Sequence, residues 1–270
     1  MRQKATRIQH ADVPPELLLM NPETAPVADL IIRTTDPLPG EAVLAALDMN
    51  LLDDQLQGRL AASLCAPEEQ RRLVSFRYGK RKREWLAGRL AAKIACLSLL
   101  GDGRLPGPDA LPITADAEGR PCLTMEPPPE EQVFLSISHS HRYGIALASR
   151  IGPCGVDIQK IVPKIVRISS YFANDQELLL LKRKLTAKAE TIRLTMLWAA
   201  KEALKKQLPP GRQPPLFHSI TLRALHSVSY TSLEGWSFCC SLGEETATRK
   251  IEVYIYPDYI LAYALEEDHA

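Results

Sequence analysis

Trp198-Ala199-Ala200-Lys201-Glu202-Ala203-Leu204-Lys205-Lys206 is the stretch on which the reading of this chain turns. Ala, Leu, Lys and Glu dominate it, and no Gly or Pro interrupts before Pro209-Pro210-Gly211, so it predicts a helix. At about 100° per residue, Trp198, Lys201, Glu202, Lys205 and Lys206 share one arc, and Leu197, Ala200, Ala203 and Leu204 take the other. One face thus carries a carboxylate among three ammonium groups. Upstream, Gly155-Val156-Asp157-Ile158 reads as a strand with a carboxylate between apolar neighbours. If Asp157 and Glu202 meet, they can hold a hard divalent cation while the lysines hold phosphate. Each signal also has a plainer reading. A Lys/Glu-rich face is commonly a solvated one, with Glu202 and Lys206 as an i,i+4 pair, and an Asp in a short strand can simply make a turn.

Order and company narrow the choice. Gly119-Arg120-Pro121, then Leu135-Ser136-Ile137-Ser138-His139-Ser140, then Gly155-Val156-Asp157-Ile158, then the Trp198–Lys206 helix follow one another along the chain. This ordered set resembles the 4′-phosphopantetheinyl transferases, specifically the larger, surfactin-type class. That pattern runs approximately G-[KR]-P, I-S-H-S, G-[IV]-D-[IVL]-E, F-x-x-x-E and W-x-x-K-E-[AS]-x-x-K. The resemblance extends from about Cys65 to the C-terminus. It implies an α+β fold built as a pseudo-dimer of two related halves, with the active site between them. It also implies an enzyme that moves the 4′-phosphopantetheine arm of coenzyme A to a serine of an acyl or peptidyl carrier protein. The other product is 3′,5′-ADP, and the metal is Mg2+.

Carried over position by position, the resemblance makes Asp157 and Glu202 metal ligands, with the third ligand position open between Gln159, Glu177 and water. Glu202 is also the candidate base for the incoming serine. Lys201 and Lys206 are expected to neutralise the diphosphate, Lys201 acting beside Glu202 in catalysis. Arg120 is expected at the nucleotide end of coenzyme A, and Ser138 and His139 at its phosphates. Residues 71–93 form a basic cluster, with Arg71, Arg72, Arg77, Lys80, Arg81, Lys82, Arg83, Arg89 and Lys93 against Glu84. It reads as a solvated helix face or as a surface for coenzyme A and an acidic carrier, with Arg72 the best single candidate. Aromatic interleaving is too thin for nucleic acid.

The chain departs from the family pattern at two positions. Gln159 stands where a second acid is usual. Four residues after Phe172 comes Gln176, and the carboxylate follows one later at Glu177. The alternative these changes suggest is a degenerate homologue that binds coenzyme A or a carrier protein without turnover.

Composition agrees with an enzyme of this kind. Lys+Arg 33 against Asp+Glu 32 leaves a formal charge of +1, which selects neither nucleic acid nor an acidic partner. No apolar run of about 18 residues is present to span a membrane. Met1-Arg2-Gln3-Lys4 opens no secretory signal, and Cys65, Cys96, Cys122, Cys154, Cys239 and Cys240 show no C-x-x-C spacing. A monomeric cytoplasmic protein is the expectation.

Along the chain, residues 1–26 read as a loose leader, 27–150 as an N-terminal half and 151–270 as a C-terminal half. A weak strand is expected over 27–35 and a helix over 41–64. A longer helix is expected over 67–100, broken near Tyr78-Gly79. Residues 101–132 read as Pro/Gly-rich turns, with Pro127-Pro128-Pro129 among them. Short strands follow at 133–138 and 143–149, a helix over 175–208 interrupted near Leu185, and strands at 219–225, 235–242, 250–256 and 259–265.

Overall fold

In the computed structural model, Ala42–Asp48 is a strand (β2), not the opening of the helix expected over 41–64. Its Ala and Leu residues favour helix locally, but both of its faces are buried. A central strand covered on both sides reads as a continuous apolar run, and tertiary burial overrides propensity there. Asp48 and Asp53 then cap the turn Met49–Leu51 and helix α1 (Asp54–Leu64), accepting from the backbone N–H of Asn50 and Leu56. The structure describes residues 31–34, 38, 41–100, 111–124, 132–208, 216–228 and 233–266. The leader 1–26, Pro127-Pro128-Pro129 and the loop after Leu208 lie outside them.

The expected 67–100 helix is two. Helix α2 (Pro67–Val74) is separated from α3 (Gly79–Leu100) around Ser75–Tyr78. A hairpin, β3 (Ile113–Ala115) and β4 (Pro121–Leu123), occupies part of the stretch read as turns. Around α3 lies a sheet ordered β1 (Ile31–Thr34), β2, β6 (Tyr143–Ser149), β5 (Phe134–Ser140). A second sheet is ordered β7 (Gly155–Lys160), β11 (Tyr259–Ala264), β10 (Thr248–Tyr256), β9 (Glu234–Leu242), β8 (Ile220–Val228). Between β7 and β8 come α4 (Lys164–Arg167), α5 (Asp175–Lys184) and α6 (Glu190–Gln207). The fold is of mixed helix and sheet, with every strand pair among the described residues antiparallel.

Strand alternation sorts the side chains into three apolar layers. Val43, Ala45, Leu47, Ala146 and Ala148 face α3. Ile251, Val253, Ile260 and Ala262 face α6. Leu44, Ile145, Leu147, Val156, Ile158, Tyr254 and Tyr263 meet between the sheets. The order is therefore α3, first sheet, second sheet, α6.

Each long helix is fastened by a buried lysine. Lys93 of α3 contacts Glu69 at 2.7 Å and donates to the Leu111 carbonyl, with side chains only 2% and 3% exposed. Glu69 also accepts from the backbone N–H of Ala66 and Ile113. Lys201 of α6 contacts Glu177 at 2.8 Å and donates to the carbonyls of Phe172 and Phe217. Glu177 accepts from Asn174 N–H, completing a capping box, and from Leu222 N–H of β8. In both cases twenty-four residues separate glutamate from lysine, 69 to 93 and 177 to 201. Each carboxylate thus ties a short helix's N-terminus, a long helix and an incoming strand into one knot. With every partner supplied, such charges are tolerated in a dry interior.

Candidate functional site

The edges β5 and β7, one from each sheet, lie side by side without a backbone ladder. Alternate serines of β5 fill that role. Ser136 Oγ accepts from Val156 N–H at 3.0 Å, Ser138 Oγ from Ile158 N–H at 3.4 Å, and Ser140 Oγ from Lys160 N–H at 3.1 Å. This ladder gives Ser136-Ile137-Ser138-His139-Ser140 its alternation. Ile137 packs on the α3 side, and the hydroxyls satisfy N–H groups that burial would otherwise strand.

Asp157 lies in this seam. Its neighbours Val156 and Ile158 point between the sheets, so Asp157 points toward α6. Ser138 Oγ donates to its Oδ1 at 2.7 Å, and Lys206 Nζ donates to the same oxygen at 2.8 Å. Lys206 also donates to the Val156 carbonyl. Oδ2 is buried and has no hydrogen-bond partner among the described residues. Gly155 makes this approach of strand and helix possible. A Cβ there would come within 1.9 Å of the Ala203 carbonyl oxygen of α6.

Helix α6 carries the rest. Glu202 is half-buried and paired with Lys205 at 3.2 Å, while Lys205 rests over the Phe217 ring. Trp198 packs against Phe172 and Phe217 with ring centroids 5.1 and 4.6 Å away. The single arc expected from the sequence therefore divides. About 140° of helix separates Lys201 from Lys206. Lys206 turns to β7 and Asp157, and Lys201 turns the other way into the knot with Glu177. Fully buried and saturated with acceptors, Lys201 is not among the groups gathered around Asp157. Burial pulls its pKa down, and Glu177 pulls it back.

The displaced acid of the F-x-x-x-E element is explained in the same way. Phe172 is fully buried, Gln176 is exposed on α5, and Glu177 points inward to Lys201. Gln159 lies on the Asp157 face of β7 and is half-buried. Among the described residues, no group of three or more His, Cys, Asp and Glu is placed to hold a metal ion. The donors that are present suit a hard cation: Asp157 and Glu202 carboxylates, the Gln159 amide, and an orphaned buried oxygen at Asp157 Oδ2. Such a small set fits an ion that keeps water and substrate oxygens as its remaining ligands.

Against known proteins, the family model for the 4′-phosphopantetheinyl transferase superfamily matches residues 153–264. A holo-[acyl-carrier-protein] synthase of Exiguobacterium sibiricum is 38% identical over 94 residues, covering 33% of this chain and 70% of that protein. The chain belongs to the 4′-phosphopantetheinyl transferase superfamily. A holo-[acyl-carrier-protein] synthase of Staphylococcus saprophyticus is 32% identical over 92 residues, 33% of this chain and 77% of that protein. A crystal structure of a Bacillus anthracis holo-(acyl-carrier-protein) synthase, in complex with CoA (3′,5′-ADP), matches with a TM-score of 0.36. It is 24% identical and covers 40% of this chain and 92% of that one.

In this superfamily member the matched region is the second sheet with α4–α6, and the first sheet supplies further groups. His139, at the end of β5, has Nδ1 4.0 Å from Glu84 Oε1 of α3. Burial lowers its pKa, with Arg81 and Lys206 acting in the same sense against Glu84 and Asp157. The imidazole is therefore neutral near pH 7. Arg120 is presented by the β3–β4 turn, where Asp116 Oδ1 accepts from its N–H and Gly119 takes φ +82°. Its guanidinium donates to the Leu208 carbonyl, just past the last residue of α6. Arg72 is exposed on α2 and stacks on Phe76, 5.2 Å from the ring centroid. The basic cluster is thinner than its sequence suggests. Lys93 is withdrawn into the knot with Glu69, and Arg89 is half-buried over Trp85. The Glu69–Lys93 pairing, the contact of Glu84 with His139 and the ladder role of Ser136 and Ser140 escaped the sequence reading. A repeated Glu–Lys spacing and the S-x-S-x-S alternation were their signals.

Proposed function

We propose that this protein transfers the 4′-phosphopantetheine arm of coenzyme A to a serine of an acyl or peptidyl carrier protein, releasing 3′,5′-ADP. The observation that carries it is Asp157, held through one oxygen by Ser138 and Lys206 and with the other unpartnered among the described residues, beside the helix that bears Glu202. Homologues named holo-[acyl-carrier-protein] synthase support the same reaction. In this reading the serine Oγ attacks the phosphorus of the pantetheine phosphate and the bond to the 3′,5′-ADP phosphate breaks. The serine proton passes to Glu202 directly or through water. Lys206 and Arg120 take up phosphate charge, and neutral His139 offers a hydrogen bond there. Lys201 keeps α6 in place and touches no substrate. Asp157, Glu202 and Gln159 would hold Mg2+, which would neutralise the diphosphate during transfer.

The exposed cations Arg71, Arg72, Arg77, Lys80 and Arg81, with no acid in the first turn of α3, suit an acidic carrier. The matched knots at Glu69–Lys93 and Glu177–Lys201 support a pseudo-dimeric, surfactin-type chain, monomeric because both halves are already present. No helix among the described residues is long and apolar enough to cross a membrane, and a cytoplasmic location fits that reaction.

Gln159, on the face of Asp157, favours one other reading, a homologue that binds coenzyme A without turnover. Intact mass of an apo carrier after incubation with the protein, coenzyme A and Mg2+ separates the two. A phosphopantetheine-sized gain, abolished by EDTA and by Glu202→Ala, establishes the transferase. No gain on fatty-acid, polyketide or peptide carriers, with coenzyme A still bound, establishes the binding-only homologue.

A further inference from the structure

The family resemblance implies phosphate binding by Ser138 together with His139, yet Ser138 is 6% exposed and its hydroxyl is already engaged. It donates to Asp157 Oδ1 at 2.7 Å and accepts from Ile158 N–H at 3.4 Å. A hydroxyl has one proton to give, and this one is given to Asp157. Ser136 and Ser140, two residues to either side, show what the ladder alone requires, which is acceptance from a β7 N–H. Donation to a carboxylate is the extra task of the middle rung.

The consequence lies in which oxygen is left. With Ser138 and Lys206 both on Oδ1, the carboxylate cannot rotate to share its two oxygens evenly among its partners. Oδ2 stays buried and has no partner among the described residues, an expensive arrangement for an anion unless a cation completes it. We propose that Ser138 is a positioning residue for Asp157: it fixes the carboxylate across the seam between the sheets so that Oδ2 faces the cation, and it does not hold coenzyme A phosphate. This rests on the metal role given to Asp157 above. It also makes the site dependent on both sheets, since the serine comes from β5 and the aspartate from β7.

The test uses the full chain without carrier, so that no turnover occurs. Mn2+ binding is followed by electron paramagnetic resonance in the presence of coenzyme A. Separately, dissociation constants are measured for coenzyme A and 3′-dephospho-coenzyme A. Ser138→Ala is expected to weaken Mn2+ binding about tenfold, the size typical of losing a residue that orients a metal ligand. The ratio of the two coenzyme affinities is expected to stay unchanged. Ser136→Ala removes a ladder rung without touching Asp157, so it is expected to lower stability and leave Mn2+ binding intact. If Ser138→Ala does not fold, Ser138→Cys keeps the shape with a much weaker donor and is read the same way. Unchanged Mn2+ binding overturns the proposal, and so does loss of discrimination between coenzyme A and its dephospho form. Should the wild-type protein bind no Mn2+, the metal reading itself fails. The crystal structure of Ser138→Ala then decides the positioning role: Asp157 turned from its place supports it, and Asp157 unmoved overturns it.

Discussion

Helices α3 and α6 carry the same buried knot and opposite surface chemistry. Counting from the knot lysine, the next, fourth and fifth positions are Ile94, Leu97 and Ser98 on α3 but Glu202, Lys205 and Lys206 on α6. The Glu–Lys pair recurs where no acid and no ammonium follow it, so its purpose is common to both regions and is not the chemistry of one. That purpose is mechanical. A carboxylate caps a short helix, receives an incoming strand's N–H and pins the long helix by an ammonium. The difference teaches that Lys201 belongs with Lys93, although a linear motif groups it with Glu202.

The largest expected effect tests the residues that differ. Glu202→Ala is expected to lower carrier modification by about 10²–10⁴-fold in a single-turnover mass assay, the scale of a lost acid–base group, with the melting temperature nearly kept. Its counterpart Ile94→Ala is expected to change stability and not the reaction.

The shared residues come next. Breaking either knot by Lys201→Met or Lys93→Met strands a buried carboxylate and is expected to cost about 3–5 kcal/mol in urea unfolding. Equal losses at the two sites sharpen the comparison. A Lys201→Met protein of wild-type stability that has lost activity would break it. Gln176→Ala, on the exposed side of α5, is expected to stay within about 0.5 kcal/mol of wild type in the same experiment.

Both helices also rest on a strand glycine. A Cβ at Gly155 would meet the Ala203 carbonyl oxygen at 1.9 Å, and one at Gly144 would meet the Ala87 Cβ at 2.6 Å. Alanine at either is expected to cost about 1–3 kcal/mol by overpacking. Only Gly155→Ala is expected to weaken Mn2+ binding as well, because Asp157 follows two residues later.

The smallest effect concerns His139. Its folded-state pKa lies below the ordinary 6.5, so the unfolded chain takes up the proton first as pH falls. His139 therefore lowers stability as pH drops through 6.5, and the cost stops growing below the folded pKa. His139→Gln is expected to flatten the stability profile in that window, and NMR titration of the imidazole gives the folded value. Added coenzyme A phosphate is expected to raise it.

Much of this was legible in the chain. Short apolar or alternating runs bounded by turn residues located the strands β5 to β11, and the break near Gly79 separated α2 from α3. Ala42–Asp48 misled because its residues favour helix, and only burial on both sides makes it a strand. The β3–β4 hairpin hid among prolines and glycines, although it is what carries Arg120 to the end of α6.

The sequence by itself determined the carboxylates, the ammonium groups and their order, since residue type sets what chemistry a side chain can do. What only the tertiary structure decided is which groups face one another. A helix arc that spans Lys201 to Lys206 is one face on a wheel. Packed between β7 on one side and the Phe172 and Phe217 segments on the other, it divides. Lys206 goes to Asp157 and Lys201 to Glu177, because the side of the helix that is buried depends on neighbours distant in the chain.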